Sequence, residues 1–254
     1  MIESPDIKDW KQLQYSVCRL LNEVGLAAQE AVVLKTPRGT VEVDVFAIDQ
    51  VSVDKIQYIV ECKNWANAIP QHVVHSFTTV MQETGANIGF IVSKLGLQAG
   101  AERYTQNTNI IGLTFEALQR RYFEPWWRNH FCKVVAACAE KVCFYTEPFN
   151  GTRDKALEDL SCAQLDSFKA IQKKYCAFAM FMWQADLITI SPHFGQAVPS
   201  SIQEYKSKLV ELIGDHQTFN ALFWRDLLEE MCQKLAAVEE ELHQLFGRDV
   251  FEEA

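Results

Sequence analysis

The run Ile56-Gln57-Tyr58-Ile59-Val60, which ends in Glu61-Cys62-Lys63, constrains this chain more than any other segment. A mostly apolar run of this length reads as a strand, and alternation then puts Glu61 and Lys63 on one face while Val60 and Cys62 point to the other. One strand end therefore presents an anion and a cation together. Upstream, Val41-Glu42-Val43-Asp44-Val45 reads as a second short strand, with its valines on one face and Glu42 and Asp44 on the other. Set beside each other, the two strands bring the Asp44 carboxylate to that of Glu61.

Two carboxylates and a lysine at one strand end suit metal-assisted phosphodiester hydrolysis. Mg²⁺ is a hard cation that takes oxygen ligands and keeps several waters, so one or two carboxylates and a substrate phosphate hold it, and Mn²⁺ is expected to substitute. Asp44 and Glu61 supply the carboxylates, and the backbone carbonyl of Cys62 completes the protein's share of the shell. A bound cation lowers the pKa of its water, while Lys63 orients the attacking water or neutralises the phosphate.

The surrounding pattern alternates helix and strand. Leu13, Val17, Leu20, Leu21 and Val24 recur at helical spacing up to Gly25, and Thr36-Pro37-Arg38-Gly39 reads as a turn. Beyond Lys63, a helix begins near Gln71, carries Val73, Val74, Phe77 and Val80, and stops at Gly85. A buried strand over 87–94, a polar helix around Ala99 to Gln106 and a strand from Ile110 to Thr114 follow.

This α-β-β-β-α-β-α-β order, with the Leu20-Leu21-x-x-x-Gly25 helix end, Asp44, Glu61-Cys62-Lys63-Asn64-Trp65 and Gly89-Phe90-Ile91-Val92-Ser93, resembles the restriction-endonuclease fold of the PD-(D/E)xK superfamily, and most closely its type IV, Mrr-like branch. The likeness runs from about Asp9 to Gln119. It implies an endonuclease acting on DNA with Mg²⁺, in which Asp44 is the metal-binding acid, Glu61 the second acid and Lys63 the catalytic lysine. It also implies bacterial defence against foreign or modified DNA. One position departs from the pattern. Members of the group often carry a supporting Glu in the first helix, where this chain has Gln14, and an amide can hold a water but adds no charge.

With 254 residues, 48% of them hydrophobic, the chain can bury a substantial core in one large or two modest domains. Met1 to Trp10 is polar and acidic rather than a secretory leader, and the apolar stretch Tyr175 to Trp183 is too short to span a bilayer. No membrane association is expected. The eight cysteines are read as reduced thiols, and a cytoplasmic location follows. The net charge of -9 argues against a broadly basic nucleic-acid binder. Residues 1–124 hold 11 basic and 14 acidic side chains, against 13 and 19 in residues 125–254, so the acidity concentrates away from the proposed centre. Lys35, Arg38, Lys63, Lys94 and Arg103 are candidates for a phosphate path, with Arg38 and Lys94 foremost.

A boundary near residues 119–128 divides a nuclease domain, 1–124, from an all-helical assembly or regulatory domain, 125–254. Pro192, Pro199 and Gly214 mark turns in the latter. Its last helix is expected over Phe219 to Phe246, with Leu222, Leu227, Leu228, Met231, Leu235, Val238, Leu242 and Leu245 opposite a glutamate-rich face. Cys132, Cys138, Cys143, Cys162 and Cys176 lack paired C-x-x-C spacing and read as buried helix cysteines. His72 and His75 read as helix-surface residues. His130, His193, His216 and His243 are too scattered to be ligands. Trp126-Trp127 reads as an apolar staple rather than a base-stacking platform. A homodimer or larger assembly through the helical region is expected, since cutting two strands with one centre per chain commonly requires two chains, and a protein partner from a defence system is a further expectation. The alternatives are a non-catalytic nucleic-acid-binding or assembly subunit on the same fold, or a structure-specific or RNA nuclease.

Overall fold

The computed structural model describes residues 1–189, 197–214 and 219–252, so Pro192, His193 and His216 lie outside the described residues. Two compact units are present, one over Glu3–Asn129 and one over His130–Ala254.

The first unit opens with α1 (Trp10–Glu23), whose N-cap Asp9 accepts a hydrogen bond from the Gln12 amide. Its apolar positions Leu13, Val17, Leu20 and Leu21 are buried. The strands are β1 (Ala27–Thr36), β2 (Gly39–Ile48), β3 (Gln57–Lys63), β4 (Ile88–Ser93) and β5 (Ile110–Thr114), ordered β1-β2-β3-β4-β5 in one sheet. β1 and β2 form a hairpin around Pro37-Arg38, and β2 pairs antiparallel with β3. β3, β4 and β5 run parallel, and the crossovers that parallel strands require are α2 (Gln71–Thr84) and α3 (Ala99–Thr105). The element order is the one expected from the sequence. α4 (Phe115–Arg121) and α5 (Phe123–Trp126) follow the last strand.

One face of the sheet packs on α2, where Val74, Phe77 and Met81 form a core with Ile59, Ile91 and Ile110. Each such side chain contributes about 1.5–3 kcal/mol by leaving water. The approach is close because β4 and β5 carry glycine. A Cβ at Gly89 would lie 2.7 Å from Met81 Sδ and 2.7 Å from Phe77 Cε1, and one at Gly112 would lie 2.2 Å from Leu97 Cδ1. Near the end of the unit Trp126 and Trp127 are fully buried, and Trp126 Nε1 donates to Glu23 at 2.7 Å, so neither ring is available for stacking on bases.

The elements of the second unit among its described residues are helical: α6 (Cys132–Thr146), α7 (Gly151–Leu157), α8 (Cys162–Trp183), α9 (Ile202–Ile213) and α10 (Trp224–Phe246), with a 3-10 turn over Gln184–Thr189. Three sequence expectations are corrected here. Cys138 and Cys232 are joined by a disulfide that ties α6 to α10, with 5.5 Å between their Cα atoms, because the two helices pack side by side at those positions. Cys162 is exposed and Cys176 half-buried, so only Cys132 and Cys143 of the remaining helix cysteines named above are buried. Leu222 is 73% exposed and precedes α10, whose N-cap is Phe223, while Leu227, Leu228, Met231, Leu235, Val238 and Leu242 are buried as a stripe. The buried Arg153 closes the end of α6 by donating to the carbonyls of Tyr145 and Glu147 at 2.7 and 2.9 Å. Asp249 fastens the end of the described chain to the same helix, accepting from Lys141 Nζ at 2.6 Å and from the Tyr145 hydroxyl at 3.2 Å. Among the described residues no helix is long and apolar enough to cross a membrane.

Candidate active site

The site is a fork in the sheet. β2 and β3 pair from Ile48–Gln57 to Val45–Val60, and there the ladder stops. Asp44 and Glu61 are the next residues on each side. β3 stays fixed by β4, since that pairing continues through Cys62–Val92 and Lys63–Ser93. Where β2 departs, the Cys62 amide lacks a strand partner on that side, and Asp44 Oδ2 takes its hydrogen bond at 2.7 Å. A buried N–H left unpaired is costly, so this bond both completes the sheet and orients the carboxylate.

Lys63 and Glu61 project from the same face of β3 and form an ion pair, with each side chain about one quarter exposed. Burial raises the pKa of Glu61 and the nearby Asp44 charge adds to that rise, while the hydrogen bond and charge of Lys63 oppose it; the net shift is upward. Burial pulls Lys63 down, but its hydrogen bond to Glu61 and the charges of Glu61 and Asp44 outweigh it, so Lys63 stays protonated above the ordinary lysine range. The Cys62 thiol is buried on the other side, and burial together with the Asp44 and Glu61 charges pushes it well above the usual thiol range. Cys62 is thus a neutral core side chain whose backbone alone meets the site.

Asp44 and Lys63 line a groove of about 450 Å³ whose walls include Lys8, Trp10, Asn64 and Trp65. Glu61 does not line it directly and reaches it through its ion pair with Lys63. A neighbouring groove of about 400 Å³, at the ends of β4 and β5, shares Lys8 and Asn64 with the first and includes Ser93, Lys94 and Thr114. A larger cavity of about 950 Å³ lies in the helical unit, lined by residues of α8 and α9 such as Phe181 and Tyr205 and by Ala197 at the edge of the described residues. Its described walls hold Glu204, Lys208 and Glu211 on the single helix α9, not acids brought together from two parting strands, so size does not mark the chemistry here.

The fork brings together Asp44, Glu61, the Cys62 backbone and Lys63, and Lys94 stands on the adjoining groove. Arg38 does not join them: it sits at the β1–β2 turn, pairs with Glu83 of α2 at 3.1 Å and lines neither groove. Gln14 is buried on α1, makes no hydrogen bond to Asp44 or Glu61 and is absent from the groove walls. His72 and His75 are exposed on α2, with His75 edge-on to Tyr104 at 4.5 Å between ring centroids. Sequence reasoning passes over Lys8 and Trp10, because Trp10 continues the helical spacing of the stripe that starts at Leu13 and nothing local separates it from a core position.

Among the described residues no three His, Cys, Asp or Glu side chains gather into a metal-holding cluster. The fork instead offers two carboxylates, electrostatically coupled through the rise in Glu61's pKa, and one backbone carbonyl. That all-oxygen, incomplete set fits a hard cation that retains water, and it does not fit zinc, which takes nitrogen and sulfur ligands in closed tetrahedral sites.

Residues 7–122 match the family model described as a restriction endonuclease, Mrr_cat. No curated protein matches the chain. A solved structure titled as a protein of unknown function, AF1548, is 15% identical, with 66% of this chain and 98% of that chain covered and a TM-score of 0.35, too loose a superposition to bear on fold or activity.

Proposed function

We propose, from the match of residues 7–122 to a restriction endonuclease family model, that the protein is a divalent-metal-dependent DNA endonuclease centred on Asp44, Glu61 and Lys63. The observation that carries this reading is the fork itself, where a carboxylate from each of two parting strands and a protonated lysine meet at the mouth of a groove. Asp44, Glu61 and the Cys62 carbonyl would hold Mg²⁺ or Mn²⁺, which when bound activates water and offsets charge on the phosphate.

The chain's own groups do the rest. The Cys62 amide keeps Asp44 aimed into the groove, and Lys63 opposes the rise that burial imposes on the Glu61 pKa. With its raised pKa, Lys63 carries a full positive charge at neutral pH and stands ready to pair with a substrate phosphate or to orient the attacking water. Within this reading the protein serves defence against foreign DNA, and its helical unit serves assembly into a dimer or with a protein partner. Sedimentation of the full chain tests the dimer.

The nuclease reading is tested by plasmid nicking. Purified protein should relax supercoiled plasmid with Mg²⁺ or Mn²⁺, stop in excess chelator, and lose turnover in Lys63→Ala while keeping its fold by circular dichroism. Cleavage that persists in chelator would remove the metal mechanism.

A further inference from the structure

Trp10 and Trp65 are 54% and 43% exposed, and both line the groove that holds Asp44 and Lys63. Indole rings bury well, and in this chain Trp126, Trp127 and Trp224 are almost wholly inside. Two large apolar rings left open at the mouth of one site therefore call for an occupant with a flat, apolar face. Each ring also carries an ammonium. Lys11 Nζ stands 5.6 Å from the Trp10 centroid, and Lys63 Nζ stands 5.9 Å from the Trp65 centroid. A ring beside a cation matches the two halves of a nucleotide, a base to stack and a phosphate to pair.

Charge balance identifies which form of DNA fits. In the metal-free protein the two adjoining grooves present Lys8, Lys63 and Lys94, with Lys11 beside Trp10, against Asp6, Asp9, Asp44 and Glu116, so they carry no net positive charge with which to grip a duplex backbone. Stacking on an aromatic side chain, in contrast, is worth about tenfold or more in affinity per base. Paired bases keep their faces inside the duplex and cannot reach these rings. We infer that Trp10 and Trp65 are base-stacking residues, and that the DNA engaged at this centre is single-stranded beside the scissile phosphate. The inference rests on the nuclease reading of the same groove. Because Lys63 lies over Trp65 and also pairs with Glu61, the base on Trp65 belongs to a nucleotide next to the reacting phosphate.

The test is tryptophan fluorescence of the full-length protein in EDTA, titrated with a short oligothymidylate and with a duplex of equal length. The single strand should quench the fluorescence and bind about tenfold or more tightly than the duplex. Trp10→Ala and Trp65→Ala should each lose about tenfold in strand affinity with little change in duplex affinity, and Trp65→Phe should recover part of it. Both rings are exposed, so urea unfolding midpoints should stay near wild type. Equal affinity for strand and duplex, or a double alanine variant that binds the strand like wild type, overturns the inference. The two readings separate cleanly: strand binding without cleavage under any metal sinks the nuclease and keeps the stacking, whereas metal-dependent cleavage with unchanged strand preference in the variants sinks the stacking alone.

Discussion

Ala31 stands directly across the β1–β2 ladder from Asp44, with a backbone φ of +51°. Glu30 pairs with Val45 and Val32 with Val43, and the Ala31–Asp44 step between them is the one that the regular pairing skips. A left-handed alanine costs about 1–2 kcal/mol relative to ordinary backbone, and it lies where β2 must begin to leave β3. Ala31→Gly should be neutral or stabilising by up to about 1 kcal/mol with activity kept. Ala31→Val, whose branched side chain resists positive φ, should lose about 1–3 kcal/mol and nick plasmid poorly because the strand straightens beneath Asp44. Urea unfolding and nicking on the same preparations check both; a fully active, stable valine variant would show that the kink does not position the acid.

Under the proposed mechanism Asp44 has two separable jobs, and isosteric substitution divides them. The side-chain amide introduced by Asp44→Asn retains an oxygen to accept from the Cys62 N–H, so this variant should unfold within about 0.5 kcal/mol of wild type yet lose roughly 10²-fold or more in nicking rate. Asp44→Ala should show the same loss of rate and an added loss of about 1–3 kcal/mol in stability, since the Cys62 amide is left without its acceptor. Equal unfolding midpoints for the two variants would show that the hydrogen bond contributes little.

The Cys138–Cys232 link spans a sequence separation of 94 residues. Closing so long a loop restricts the unfolded chain by an amount worth about 4–5 kcal/mol on the chain-entropy model. Dithiothreitol should therefore lower the urea midpoint of the helical unit, and Cys232→Ser should sit at the reduced midpoint whether or not reductant is present. A midpoint that ignores dithiothreitol in wild type would mean that the link adds nothing to stability.

Asp249 makes the helical unit sensitive to acid. Burial alone would raise its pKa, but the hydrogen bonds from Lys141, the Phe251 amide and Tyr145 outweigh burial and hold it below the usual aspartate range. A depressed carboxylate contributes stability that is present above its unfolded pKa, about 4, and is lost as pH falls through the lower folded value. Tyr145 acts at the other end: burial pushes it up to about 12, so its contribution is complete below pH ~10 and disappears as pH rises through its folded value. Asp249→Asn should flatten the acid limb of a stability–pH curve and leave the alkaline limb in place. An unchanged acid limb would assign that loss to other carboxylates.

The sheet and its candidate reaction centre are legible in the sequence because they rest on local rules. Alternation around Glu61 and Lys63, glycine stops at Gly25 and Gly85, and the turn at Pro37-Arg38 are all written in short windows. What escapes depends on tertiary approach. Cys138 and Cys232 become neighbours only when α6 packs on α10. Leu222 continues the stripe on a helical wheel, yet α10 begins after it, and periodicity does not register where a helix starts. Arg38 stands out in the sequence by its charge, and Glu83 claims that charge from a different element. Gln14 takes its expected place from a family pattern, whereas its burial on α1 follows from that helix's own packing. Trp10 has the spacing of a core residue because spacing records which residues share a helix face, not where that face runs out of partners.

The hydrogen bond from the Cys62 amide to Asp44 turns one backbone proton into a clock for the fork. That amide exchanges with solvent only when the Asp44 carboxylate lets go or β3 opens. Deuterium uptake at Cys62, compared with its β4-paired neighbours, therefore separates movement of the acid from fraying of the strand. A ligand that draws Asp44 outward will speed that single position, and one that locks the fork will slow it, before any bond in DNA is cut.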